Sequence, residues 1–207
     1  MNDVHVLGLS ADKSCDPFGA LLLRSLARPG PTGISIETWQ APDAPPTAHA
    51  APQAGELPPG IARLHAAVAT TDALLIAAPE GFLPEPLLTT LNWLGWPAAA
   101  SPLHGLPTAV LTTTAGTGSA FPFTSVEEVL LGAGCDLIGP RTMVPRADRA
   151  LCHQPDGRVL VTDPRVMMRV LIHLHRTATA ARATKSGVHN PSARGRSTPG
   201  VPGRPGR

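Results

Sequence analysis

The stretch Ala73–Trp93, ALLIAAPEGFLPEPLLTTLNW, limits what this chain can fold into more than any other. A short apolar run, Ala73 to Ala77, is followed at once by Pro79-Glu80-Gly81. The run is too short for a helix of its own and is bounded by proline, so it reads as a buried strand. Pro84 then opens a segment with apolar residues at Leu87, Leu88, Leu91, Trp93 and Leu94, which reads as a helix with proline at its first turn. A buried strand feeding a helix is one step of a doubly wound sheet, and such sheets bind ligands at the loops off the carboxyl ends of their strands. The loop Ala78–Leu83 is such a loop.

The same alternation runs along the chain. Val4–Gly8 reads as the first strand, Leu9–Asp16 as a polar loop, and Pro17 as the start of a helix with Phe18, Leu21, Leu22 and Leu26 on one face. Asp16 is placed to cap that helix, with Pro17 at its first position. Ile34–Trp39 alternates as a half-exposed strand. A long Ala/Pro loop, Ala41–Pro59, leads to a helix over Gly60–Thr71. After the central strand and its helix, Pro107–Thr113 is the next strand, Thr114–Ala120 a small polar loop, and Phe121–Gly132 a helix. Cys135–Ile138 with Met143-Val144 forms the last strand, broken at Pro140. Gln154-Pro155-Asp156-Gly157 is a turn, and Asp163-Pro164 caps a final helix through about Ala181, with Val166, Met167, Val170, Leu171 and Leu174 inward.

Strands alternating with helices predict an α/β fold of three layers, a parallel sheet between helices joined by right-handed crossovers. Five strands at this spacing point to the flavodoxin-like order 2-1-3-4-5. Three loops then share one rim: Leu9–Asp16, Ala78–Leu83 and Thr114–Ala120.

Length predicts one domain, taken as residues 1–182, with residues 183–207 a disordered Arg/Gly/Pro-rich tail. The tail's charge separates it from the body. Through His175 there are 10 Lys and Arg against 15 Asp and Glu, and from Arg176 on there are 7 Lys and Arg and no acid. With no aromatic residue to stack on a base, the tail reads as a solvated end rather than a nucleic-acid site. No apolar run approaches a bilayer's width. The start MNDVHVLGLS has no basic n-region or cleavage signature, and the 3 cysteines have neither paired nor zinc spacing. The expected setting is therefore cytoplasmic, with reduced thiols.

At the three loops the chain resembles the NADPH-dependent FMN reductase family, from Val4 to about Leu174. The most specific likeness is Asp72-Ala-Leu-Leu-Ile-Ala-Ala-Pro79-Glu80-Gly81, continuing to Leu-Asn92-Trp93-Leu94, against the family's DALLIVTPEYNGSIPGVLKNALDWL-like signature. Here the loop is about two residues shorter and lacks the Tyr-Asn after Pro-Glu. Gly105-Leu-Pro-Thr-Ala-Val-Leu with its small-residue loop is similar to the family's GKPVAIVSASGG, and Asp156-Gly157-Arg158 before a helix also fits.

The resemblance implies a flavin-dependent NAD(P)H oxidoreductase in which FMN takes hydride from NADPH and passes electrons to a flavin, quinone or similar small acceptor. It implies a homodimer whose contact lies near the helix that carries Trp93. It places Ser10 and Ser14 at the FMN phosphate, Pro79, Glu80, Gly81 and Phe82 at the ring edge, and Thr112, Thr114 and Gly116 in the third loop. No side chain is required as acid or base, because the cofactor reacts and the protein positions it.

The first loop departs from the family's G-S-x-R-x-x-S-x-N. It reads Ala11-Asp12-Lys13-Ser14-Cys15-Asp16, so two carboxylates stand beside the expected phosphate. Two unit charges about 5 Å apart repel by roughly 3 kcal/mol at an effective dielectric of about 20. The alternative is a flavodoxin-fold protein that has lost FMN and serves as a non-redox binding or partner subunit. Cys15 lies at a helix start, where a thiolate is favoured, but no arginine follows at phosphatase spacing. His173 and His175 point to different faces of their helix and make no metal pair.

Overall fold

A computed structural model describes residues 3–11, 16–27, 30–41, 57–117 and 125–187. The elements are β1 (Val4–Ser10), α1 (Pro17–Ala27), β2 (Ile34–Gln40), α2 (Pro59–Ala69), β3 (Ala73–Pro79), α3 (Glu85–Leu94), β4 (Pro107–Thr113), α4 (Ser125–Gly132), β5 (Asp136–Leu137), β6 (Thr142–Val144), α5 (Ala147–Ala150), β7 (Leu151–His153), β8 (Val159–Val161) and α6 (Pro164–Lys185). The sheet runs β2-β1-β3-β4-β5, all parallel, which is the expected order.

The apolar runs explain why the central strands are buried on both sides. Leu75 and Ala77 face α1 and α6 in one core cluster, while Leu74, Ile76 and Ala78 face α2, α3 and α4 in the other. β2 is the sheet edge: Ile34 and Ile36 turn to one core cluster, Trp39 is half-buried against the other, and Ser35, Glu37 and Thr38 are exposed.

The last strand is interrupted where Pro140 stands. Leu137 lies opposite Thr108 and Thr142 opposite Leu111, so five steps here span three on β4. The surplus is extruded at Gly139, which has a φ of 69°, and Pro140, which has no N–H for the ladder. β7 and β8 form an antiparallel hairpin across the expected turn.

α6 runs past its expected end at Ala181. Lys185 Nζ lies 2.7 Å from Asp72 Oδ2, which also accepts from the His5 N–H at 2.9 Å, and Arg182 donates to the Gly33 carbonyl. These contacts at the amino end of the sheet hold the final turn, a reason invisible in the local sequence. Residues 188–207 of the predicted tail lie outside the described residues. Among those residues, no helix is long and apolar enough to cross a membrane.

α6 also buries a group that the apolar pattern passed over. His173 is buried, its Nδ1 3.1 Å from Thr142 Oγ1, while Nε2 is buried with no partner. Burial, then the positive Arg176, holds its pKa below 6.5. The folded chain therefore takes up this proton less readily than the unfolded one, and stability declines as pH falls through about 6.5. Melting temperature should drop on acidification, and His173→Gln should flatten that slope by up to one proton, about 1.4 kcal/mol per pH unit. An unchanged slope would place the acid sensitivity elsewhere.

Candidate functional site

Three carboxyl-end loops meet at one rim because register fixes their neighbours. Ser10 lies opposite Ala77, Pro79 opposite Thr113, and Thr113 opposite Val144. Two of the loops are stitched together: the Glu80 N–H donates to the Thr113 carbonyl at 2.8 Å. Gly81 follows at a φ of 88°, and a β-carbon there would meet nothing within 4 Å. That conformation suits glycine and leaves an open backbone surface. Phe82, next to it, is 57% exposed.

The loop after β4 is held from its far side. Thr114 donates its N–H to the Val144 carbonyl, and its own carbonyl accepts from the Ala147 N–H at 2.8 Å. Thr114 Oγ1 accepts from the Gly116 N–H, and the Gly116 carbonyl accepts from the Arg146 N–H at 2.7 Å. Thr114 is half-buried, and Ala115, Gly116 and Thr117 are exposed. Thr112 lies one step inward, fully buried, with its hydroxyl unpartnered beneath the rim. The structure thus brings together Pro79, Glu80, Gly81, Phe82, Thr114 and Gly116. Sequence reading missed Arg146 and Ala147, whose backbone anchors this loop.

Ser10 is buried without a partner for its hydroxyl. It lines a cavity of about 440 Å³ beside α1, with Ala20, Arg24, Thr38 and Gln40. Ser14, Asp12 and Cys15 fall outside the described residues.

Asp16 carries the largest departure from expectation. It caps α1 as foreseen, but it is buried rather than facing the rim. Its Oδ1 accepts from the Phe18 N–H at 3.2 Å, the Gly19 N–H at 2.9 Å and Thr113 Oγ1 at 3.2 Å. Oδ2 is buried with no partner. Burial pushes the Asp16 pKa up, against the pull of the bonds from Gly19, Thr113 and Phe18. Thr113, at the end of β4, is buried with the carboxylate it donates to.

This geometry tests the fit of a phosphorylated flavin. Helix N-termini hold phosphates through N–H groups left free by the helix. At α1, Pro17 has no N–H, and Phe18 and Gly19 have already given theirs to Asp16. The rim leaves open backbone at Gly81 and exposed residues at Ala115–Thr117, whereas the first three positions of α1 have no free N–H for a phosphate.

Other chemistry finds less support among the described residues, which hold no group of three His, Cys, Asp or Glu placed for a metal. Burial raises the Cys135 thiol to about 11, so it is inert at neutral pH.

No family model and no curated protein matches this chain. Solved structures do. The flavoenzyme NAD(P)H:(acceptor) oxidoreductase FerB from Paracoccus denitrificans is similar with a TM-score of 0.64 at 18% identity, covering 86% of this chain and 98% of that one. The apo form of the NADH:FMN oxidoreductase EmoB gives 0.60 at 16% identity, over 92% and 97%. An oxidoreductase from Corynebacterium diphtheriae gives 0.57 at 13%, over 88% and 98%. What is shared at such identity is the flavodoxin-like fold.

Proposed function

We propose that the rim binds a flavin ring and that the protein is a flavin-dependent NAD(P)H oxidoreductase acting on a small acceptor. The observation that carries this reading is the bond from Glu80 N–H to the Thr113 carbonyl, which joins the two ring-side loops into one open surface. Pro79, Glu80, Gly81 and Phe82 would border one edge of the ring, and Thr114 and Gly116 the other. When bound, the flavin supplies the hydride chemistry, and this chain supplies position and electrostatics. NADPH is the proposed donor and FMN the proposed flavin. A homodimer near α3, where Trp93 and Trp96 meet edge to face at 6.5 Å, belongs to the same proposal.

Asp16 favours a second reading, a fold kept after FMN is lost and used for non-redox binding. Flavin addition separates the two. For a flavin binder, ligand at about 100 times Kd stabilises by about 2.7 kcal/mol, a rise of roughly 5–10 °C in Tm for a chain of this size. The purified protein should also be yellow, or turn yellow with flavin and oxidise NADPH. A colourless protein with no shift from FMN or riboflavin favours the second reading.

A further inference from the structure

Directly beyond the ring-side loops, where β6 gives way to α5, Arg146 has a φ of 49°. It is the one non-glycine residue at positive φ among the described residues. A β-carbon disfavours that conformation, so it persists only where the surroundings impose it. Here two backbone bonds impose it, from Arg146 N–H to the Gly116 carbonyl and from Ala147 N–H to the Thr114 carbonyl. Arg146 and Arg149, both exposed, line an open cavity of about 460 Å³ bordered by Thr117, Thr162 and Asp163.

The donors in this cavity suit an anion. Arg146 has no ion pair among the described residues, and Arg149 Nε lies 4.0 Å from Asp148 in an exposed, weak pair. The carboxylate in the wall, Asp163, is engaged: its Oδ1 accepts from the Arg165 and Val166 N–H groups. Thr162 Oγ1 is spent on the Arg149 and Ala150 carbonyls. What faces a ligand is two guanidinium groups and the exposed Thr117 hydroxyl, with the Asp163 carboxylate in the wall opposing an anion.

We infer that Arg146 and Arg149 form a subsite for a phosphate monoester carried by a nucleotide bound at the rim. Guanidinium forks match phosphate oxygens in pairs, and the α1 terminus, the usual place for such a group in this architecture, is filled by Asp16. The subsite rests on the proposed reading of the rim as a nucleotide site. Two nucleotides carry this chemistry: a dinucleotide hydride donor with a 2′-phosphate, and a flavin with its own phosphate.

Calorimetry on the full chain distinguishes them, using NADP⁺ against NAD⁺ and FMN against riboflavin. Each pair differs by one phosphate monoester. The unmodified protein should prefer one phosphorylated member by about tenfold or more, as expected for charge-assisted bonds. The Arg146→Gly, Arg149→Gln double variant should lose that preference. Glycine suits the positive φ at 146, so the variant should fold, which its thermal denaturation checks. A preference for NADP⁺ assigns the subsite to the donor, and a preference for FMN assigns it to the flavin. No preference in either pair, or one that survives in the double variant, overturns the subsite. If neither flavin binds while an arginine-dependent NADP⁺ preference remains, the flavin reading falls and the subsite stands.

Discussion

Replacing Asp16 should tighten FMN binding in two steps, Asp to Asn and then Asn to Gly. Asparagine keeps an oxygen for Phe18, Gly19 and Thr113, so the cap survives and only the charge is removed. Removing one unit charge about 5 Å from a phosphate is worth at most roughly 3 kcal/mol at an effective dielectric of about 20. That ceiling corresponds to roughly a hundredfold in affinity, so a gain of about ten- to a hundredfold is expected for Asp16→Asn. Glycine at 16 also frees the Phe18 and Gly19 N–H groups. Each charge-assisted bond they then make is worth about 1.5–3 kcal/mol, against a few tenths lost from the cap. FMN affinity measured by fluorescence should therefore rank Asp below Asn below Gly. Riboflavin, which has no phosphate, should not respond. FMN affinity unchanged across all three residues would mean that Asp16 does not stand in the phosphate's place.

The same carboxylate makes stability depend on pH in the direction opposite to His173. An acid with a raised folded pKa binds its proton more readily in the folded chain. Its contribution is therefore favourable in acid and is lost as pH rises above 3.8 toward the folded value. Asp16→Asn removes that loss at neutral pH.

The sheet was legible because burial on both faces demands apolar runs; Ala73–Ala77 supplies one without interruption, and Pro107–Thr113 supplies Ala109-Val110-Leu111 between threonines. Strand order followed from the spacing of helices between strands. The extension of α6 was not legible, since its reason, Asp72, lies far away in the sequence and meets Lys185 only in the fold. His173 was not legible either: a lone histidine in an amphipathic pattern carries no mark of its depth. The meeting of two loops at one rim was legible, because Pro79-Glu80-Gly81 and the small residues after Thr113 announce neighbouring strand ends. It was misread at Asp16. Sequence gives the cap, but not Thr113, which lies 97 residues away and turns an apparent surface charge into a buried one. Arg146 escaped notice because nothing in Pro145-Arg146-Ala147 signals a left-handed residue.

Gly19 offers the sharper test of Asp16, because it discriminates between damage and eviction. A β-carbon at Gly19 would overlap Asp16 Oδ2. Three donors anchor the other oxygen of that carboxylate, so it cannot swing aside without losing them. Gly19→Ala should therefore cost a cap, about 1–2 kcal/mol, and the Thr113 bond, about 1 kcal/mol, lowering Tm by roughly 5–10 °C. In an Asp16→Gly background the nearest remaining neighbour of the new methyl is the Ala77 carbonyl, at a tight 3.3 Å, and alanine's helix preference of up to about 1 kcal/mol offsets that crowding. The same change should then be close to neutral, which gives a coupling energy of about 2–3 kcal/mol between the two positions. If Asp16 fills the phosphate's place, the Gly19→Ala single variant, although less stable, should also bind FMN more tightly than the unmodified chain, because the evicted carboxylate releases its donors. A variant that is both less stable and weaker for FMN would show that the carboxylate supports the site rather than blocking it.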